Sequence, residues 1–213
     1  MKPRAESEKE RLNLSDILVR LAFAGQKLEH DTKDTHQLNP VERLVSIKNV
    51  WDACKAELGN VETAIDVGSG FGYGTVFLET EGIKTIGIEN VGKKIKQGVE
   101  LFHKAGVDVK VIDSLDFQKS PAFIEADFNS VEGKAAADLI TVFYVGPAIV
   151  DKEGAFEKFK SLLKENGKIL VATNAGKAET EKWLEAHPIP FSHKIIEVPD
   201  NFEKTAIILE QQK

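Results

Sequence analysis

Apolar residues recur along this chain at two different spacings, and the change from one to the other divides it near position 60. From Leu14 the set Leu14, Ile17, Leu18, Leu21, Ala24 and Leu28 falls on one face of a helix. The next stretch, His30 to Leu38, is polar and aperiodic. A second helix opens at Asn39-Pro40-Val41-Glu42, with Asn39 as N-cap, Pro40 at the first helical position and Glu42 placed to reach back. It turns Leu44, Ile47, Trp51, Cys54 and Leu58 inward and stops at Gly59-Asn60.

Beyond residue 60, short β-branched runs alternate with helical patterns. Strands are predicted at 61–67, 84–89, 122–128, 138–145 and 168–172, with 193–198 and 205–209 as a closing hairpin. A competing third strand lies at 107–113, ending in Asp113; the shorter connection from Asp127 to Asp138 favours 122–128. Helices fill the gaps. One begins at Thr75, one carries Val91, Ile95, Val99 and Phe102, one carries Phe156, Phe159 and Leu163 and ends at Asn166-Gly167, and one spans 177–186. Strict alternation of this kind implies a mostly parallel sheet covered on both faces, an α/β fold. Residues 1–60 then form a helical cap ahead of a domain over 61–213.

The first strand of that domain runs into Asp66-Val67-Gly68-Ser69-Gly70-Phe71-Gly72-Tyr73-Gly74. Glycines there let the chain turn sharply and approach a ligand where any Cβ would intrude. The helix that follows turns its N-terminal N–H groups toward whatever is bound. A dinucleotide-binding turn would need G-x-G-x-x-G, but the third glycine falls on Tyr73 in one register and on Thr75 in the other. Asp66 also repels a pyrophosphate and suits a cationic amino-acid tail. Glu89 closes the second strand about twenty residues after Gly68, where a doubly wound sheet places a carboxylate beside ribose hydroxyls. Asp127 closes the third.

In order and spacing these segments resemble the class I S-adenosylmethionine (SAM) dependent methyltransferases, over roughly residues 61–172. The resemblance implies a Rossmann-like, doubly wound, seven-stranded sheet with an antiparallel last strand. It implies SAM as cofactor, S-adenosylhomocysteine as product, and Asp66, Gly68, Ser69, Gly70, Glu89, Asp127 and Phe128 as cofactor contacts. Asp127 would accept from the adenine amine, and Phe128 either stacks on the purine or is simply core.

A narrower resemblance bears on the acceptor. Asp66 to Gly72, Gly87-Ile88-Glu89, Ala126-Asp127-Phe128 and Val142 to Pro147 are similar to segments of the non-SET histone lysine methyltransferases, the disruptor-of-telomeric-silencing type. It implies a protein-lysine acceptor and a lid over the cofactor at Gln37-Leu38-Asn39-Pro40, with Gln37 a contact. That family has two asparagines lining the lysine channel where this chain has Thr141-Val142, and it carries a long basic extension absent here. The candidate acceptor-side residues are Phe143, Tyr144 and Asn129, with Tyr144 the candidate catalytic group and His36 a candidate base. Neither Asn-Pro-Pro-Tyr nor a nucleophilic cysteine stands at the fourth strand. A small-molecule acceptor, or a SAM-binding scaffold without turnover, stays open.

Composition narrows the partners. With 213 residues, 42% hydrophobic and 29% charged, the chain buries a sizeable core. A formal charge of −6 argues against long duplex DNA. A single cysteine, Cys54, an N-terminus without an apolar leader and no long apolar run point to a reducing, cytoplasmic setting and no membrane. No His, Cys and Asp spacing suggests a metal.

Overall fold

The computed structural model describes residues 12–25, 39–144, 153–199 and 204–211. Leu28, His36 and Gln37 lie outside them, as do 145–147 at the end of the segment proposed for the acceptor. Among the described residues no helix is long and apolar enough to cross a membrane.

Helices α1 (Leu14–Gly25) and α2 (Pro40–Leu58) precede the sheet. Asn39 caps α2 as expected, its Oδ1 accepting the Val41 N–H at 2.9 Å, and Gly59 ends it with φ 75°. The sheet then forms from β1 (Thr63–Val67), β2 (Lys84–Glu89), β3 (Lys110–Ile112), β4 (Ala122–Glu125), β5 (Ala137–Phe143), β6 (Leu163–Thr173), β7 (Phe191–Glu197) and β8 (Thr205–Gln211). Its order is β3-β4-β2-β1-β5-β6-β8-β7. All neighbours through β6 pair parallel; β8 runs antiparallel to β6 and to β7. Between the strands lie α3 (Tyr73–Thr80), α4 (Gly92–Lys104), α5 (Ala155–Leu162) and α6 (Lys177–Ala186).

Two expectations change. The competing third strands both exist, so the sheet has eight strands rather than seven: β3 adds an edge beside β4, joined through a single 3₁₀ turn at Phe117–Lys119 that Asp116 caps. The helix expected to run to Asn166-Gly167 ends at Leu162, and Leu163 already pairs with Ala137 in the sheet. Asn166, at φ 64°, and Gly167 instead form a bulge that moves β6 into register with Leu139 at Lys168.

One face of the sheet is covered by α1 to α4. Leu44, Ile47, Val50, Trp51 and Cys54 of α2 share a core with Val76, Phe77, Phe102, Leu139 and Ile208. Trp51 sets its ring edge on Phe77 at 6.4 Å and donates its indole N–H to Glu81 at 2.9 Å, so the cap is anchored by a polar tie as well as by burial. The other face packs Ile65, Ile86, Ile140 and Ile169 against Phe128, Phe159 and Leu184. Burying both faces explains the near-continuous apolar runs in β1, β2 and β5.

Candidate functional site

Strand order reverses at β1, whose neighbours are β2 and β5, and the C-terminal ends of these strands carry the acids picked out from the sequence. In open α/β sheets such a switch point leaves a crevice that ligands enter. Here the crevice is floored by the loop from Gly68 to Gly72.

That loop is fixed by its own backbone. The N–H groups of Gly68 and Ser69 both donate to Ile88 O, at 2.8 and 3.1 Å, and Gly72 N–H donates to Ser69 O at 2.8 Å. Glycine is required at two points. At Gly72, with φ 89°, a Cβ would collide with the Phe123 ring; at Gly74 it would lie 2.6 Å from Asp66 Oδ2. Helix α3 therefore begins directly on the Asp66 carboxylate.

Asp66 is 2% exposed and fully engaged. Thr75 donates to one carboxylate oxygen and Thr141 to the other, both at 3.0 Å. Burial pushes its carboxyl up to about 6 despite those hydroxyls and the Thr75 N–H, with the Glu89 charge adding to the rise. Thr75 and Thr141 were missed as functional partners in the sequence. Each is a lone hydroxyl in an apolar run, a signal visible only once something is known to need a donor.

Glu89 ties three loops together. Its Oε2 accepts the Gly70 N–H at 2.9 Å, its Oε1 accepts the Val91 N–H at 3.0 Å, and its carbonyl takes the Ala126 N–H at 3.1 Å. The loop after β4 is thereby drawn toward the site. Within it Asp127 accepts the Asn129 N–H at 2.9 Å, and Asn129 Oδ1 is buried with no partner. Phe128 is 8% exposed, with its ring 4.8 Å from Phe159, so most of it is core. Ser69 Oγ, also buried without a partner, is turned back onto β2, where a Cβ on Gly87 would meet it at 2.8 Å.

Past β5 the character of the site changes. Phe143 lies over Gly74, and Tyr144 adopts φ 58°, a left-handed backbone that an aromatic residue rarely takes. Its hydroxyl sits 2.7 Å from Ser46 Oγ and 3.3 Å from Ser46 O. Lys204 donates to that same Oγ at 2.8 Å. An ammonium can only donate, so Ser46 Oγ accepts from Lys204, and in its contact with the Tyr144 hydroxyl either oxygen can be the donor. Two cations lie against the Tyr144 ring, Arg43 Cζ at 5.2 Å and Lys204 Nζ at 5.5 Å from its centre. Burial pushes the neighbouring Tyr73 phenol up to about 12, opposed by Arg43.

The structure thus gathers Asp66, Gly68, Ser69, Gly70 and Glu89 at the C-terminal ends of β1 and β2, draws Asp127, Phe128 and Asn129 toward them after β4, and places Phe143 and Tyr144 beyond Asp66. A nucleoside carrying a cationic amino-acid tail suits this set. Among the described residues a Cβ on Gly70 would meet only Gly68 O, at 4.0 Å, two acids stand at adjacent strand ends, and Asn129 Oδ1 has no donor.

The methyltransferase domain family matches residues 59–207. No curated protein matches the chain. Among solved structures it is similar to the N-methyltransferase NodS from Bradyrhizobium japonicum bound to S-adenosylhomocysteine, at 12% identity and TM-score 0.55, over 89% of this chain and 99% of that one. A SAM-dependent methyltransferase from Aquifex aeolicus aligns at 15% identity and TM-score 0.56, over 83% and 100%. A ribosomal-protein methylase from Lactobacillus delbrueckii subsp. bulgaricus aligns at 15% and TM-score 0.59, over 78% of each chain. At these identities the likeness is one of fold.

Proposed function

The chain belongs to the methyltransferase domain family as a class I SAM-dependent enzyme, and from that premise we propose that it methylates an amine nitrogen, with the cofactor lying across the ends of β1, β2 and β4. When bound, SAM supplies a methyl group activated on a sulfonium. The observation that carries the reading is Glu89, buried at the end of β2 yet hydrogen-bonded into the glycine loop through Gly70. Such a carboxylate keeps lone pairs for two ribose hydroxyls while holding the loop closed beneath them.

The other residues take complementary roles. Asp66, poised near neutrality, gives a negative charge beside the cationic tail; Gly68 and Gly70 allow close approach; Asp127 and Asn129 offer acceptors to the adenine amine and its surroundings. Phe128 contributes the small part of its ring that Phe159 leaves uncovered. Tyr144 serves as a wall for the acceptor, because its hydroxyl is already held by Ser46. Transfer of this kind depends on alignment and exclusion of water more than on acid–base groups, although the attacking amine must be neutral.

Among amine acceptors, protein lysine is supported by the similarity of Val142 to Pro147 to the non-SET lysine enzymes, with a small molecule as the alternative. Weighing against lysine, Thr141 is buried and bonded to Asp66 where that family places a channel residue. Incubation with methyl-labelled SAM and a fractionated extract tests the proposal. Label on an amine nitrogen is expected; cofactor binding with no label in any fraction would instead favour a scaffold.

A further inference from the structure

Asp66 has a different kind of neighbour on each side. In the parallel pair with β5 its register partner is Thr141, and in the pair with β2 it is Gly87. Register partners turn their side chains to the same face of a sheet, so Thr141 stands beside the carboxylate on one flank. On the other flank the missing side chain of Gly87 makes room for a hydroxyl from α3. A Cβ there would meet Thr75 Oγ1 at 2.5 Å, the Phe123 ring at 2.7 Å and Ser69 Oγ at 2.8 Å. Thr75 and Thr141, both fully buried, then donate one to each carboxylate oxygen. Thr141 thus serves the cofactor end of the crevice, although its strand leads through Phe143 to the acceptor wall at Tyr144.

Two hydroxyls, each with one hydrogen, fit the ionised form of this carboxylate. The ion only accepts, whereas the neutral acid carries a proton on one oxygen and needs one hydroxyl turned to receive it. Burial works the other way and favours the neutral acid, and Glu89, from the end of β2, adds to that pressure. The first turn of α3 and the end of β5 carry no acid or base besides the phenols of Tyr73 and Tyr144, and Arg43 and Lys204 lie against the Tyr144 ring. The two threonine hydroxyls, with the Thr75 N–H, therefore oppose neutralisation. Resting on the methyltransferase reading, we propose that Thr141 is a positioning residue for the cofactor: with Thr75 it keeps the Asp66 carboxylate charged and fixed beside the amino-acid tail. A residue of the acceptor strand then sets how tightly the cofactor is held near neutral pH.

The test is calorimetry from about pH 5.5 to about pH 8.5 with two probes, S-adenosylhomocysteine and 5′-methylthioadenosine, which has the nucleoside without the amino-acid tail. In the wild type, S-adenosylhomocysteine should weaken as pH falls through the Asp66 titration, and 5′-methylthioadenosine should not. Thr141→Val keeps the branched shape and removes the donor. It should move that fall upward by about one pH unit, weakening S-adenosylhomocysteine about fivefold near pH 6 and leaving it within about twofold near pH 8.5. Thr141→Ser should restore the wild-type curve. Thr75→Val removes the other donor, should shift the curve the same way, and decides the matter should Thr141→Val not fold. An equal loss at every pH would make Thr141 merely structural and overturn the assignment. So would a wild-type affinity that is flat across the range, or the same shift with 5′-methylthioadenosine. Wild-type protein that binds neither probe at any pH would remove the underlying methyltransferase reading itself.

Discussion

The two ends of the crevice are built in opposite ways. At the β1 and β2 ends, neighbouring residues in sequence make the site: Asp66 to Gly74 folds back on itself, and one side chain, Glu89, ties it to the next strand. Past β5, four residues from three distant parts of the chain converge, and contacts of their side chains join them. The first end is acidic and rigid by hydrogen bonding; the second is basic and rests on one strained tyrosine. A site written in contiguous backbone tolerates little change, while one assembled from distant side chains can be altered without disturbing the sheet. The fold of the family is common to proteins with unrelated acceptors, so specificity is expected at the second end.

The largest effect should come from breaking the contiguous end. Gly72→Ala puts a methyl group into the Phe123 ring on a left-handed backbone, which should destabilise the protein by about 3 kcal/mol and abolish cofactor binding. Chemical denaturation and calorimetry would show both losses together. A fall in affinity with unchanged stability would mean that the loop is not fixed by that contact.

Asp66 sharpens the contrast because its burial opposes its charge. Its folded carboxyl titrates near 6 against an ordinary 3.8, so the stability its protonated form contributes is complete below 3.8 and lost as pH rises through 6. The loss amounts to about 3 kcal/mol at most. Asp66→Asn should therefore leave the unliganded protein more stable at pH 7, by roughly 1–3 kcal/mol, while weakening the cofactor. Thermal melts at pH 4 and pH 7, with and without SAM, measure this; equal melting shifts at both pH values would contradict it. The same titration predicts that SAM binds more tightly as pH rises from 5 to 7, since the sulfonium and amine favour the ionised carboxylate.

The smallest effect belongs to the assembled end. Tyr144→Phe removes the hydroxyl bonded to Ser46 and should cost about 1 kcal/mol in stability with cofactor affinity unchanged. Denaturation midpoints give the first quantity and calorimetry the second. A large loss of SAM affinity would move Tyr144 from the acceptor wall to the cofactor.

The same contrast explains what was legible beforehand. Asp66, Glu89 and the glycines could be read because local turn chemistry needs them at fixed spacing, and the parallel sheet followed from unbroken apolar runs. Asn39 was readable as a cap for the same local reason. The extra strand β3 was not, because two neighbouring segments with the same pattern looked like rivals rather than partners. Leu163 was misplaced because an apolar residue after a helix fits either spacing, and only the bulge at Asn166 decides. Arg43, Ser46 and Lys204 carried no signal at all: each is an ordinary polar residue until the fold brings it to Tyr144.

The central claim is that the acids at the strand ends hold the cofactor, and titration of S-adenosylhomocysteine into the wild type and Glu89→Ala tests it most directly. One-to-one binding should weaken by about ten- to a hundredfold in the variant, the loss expected for a charged hydrogen-bonding group. Equal affinity in the two proteins, or no binding by the wild type, would contradict the account.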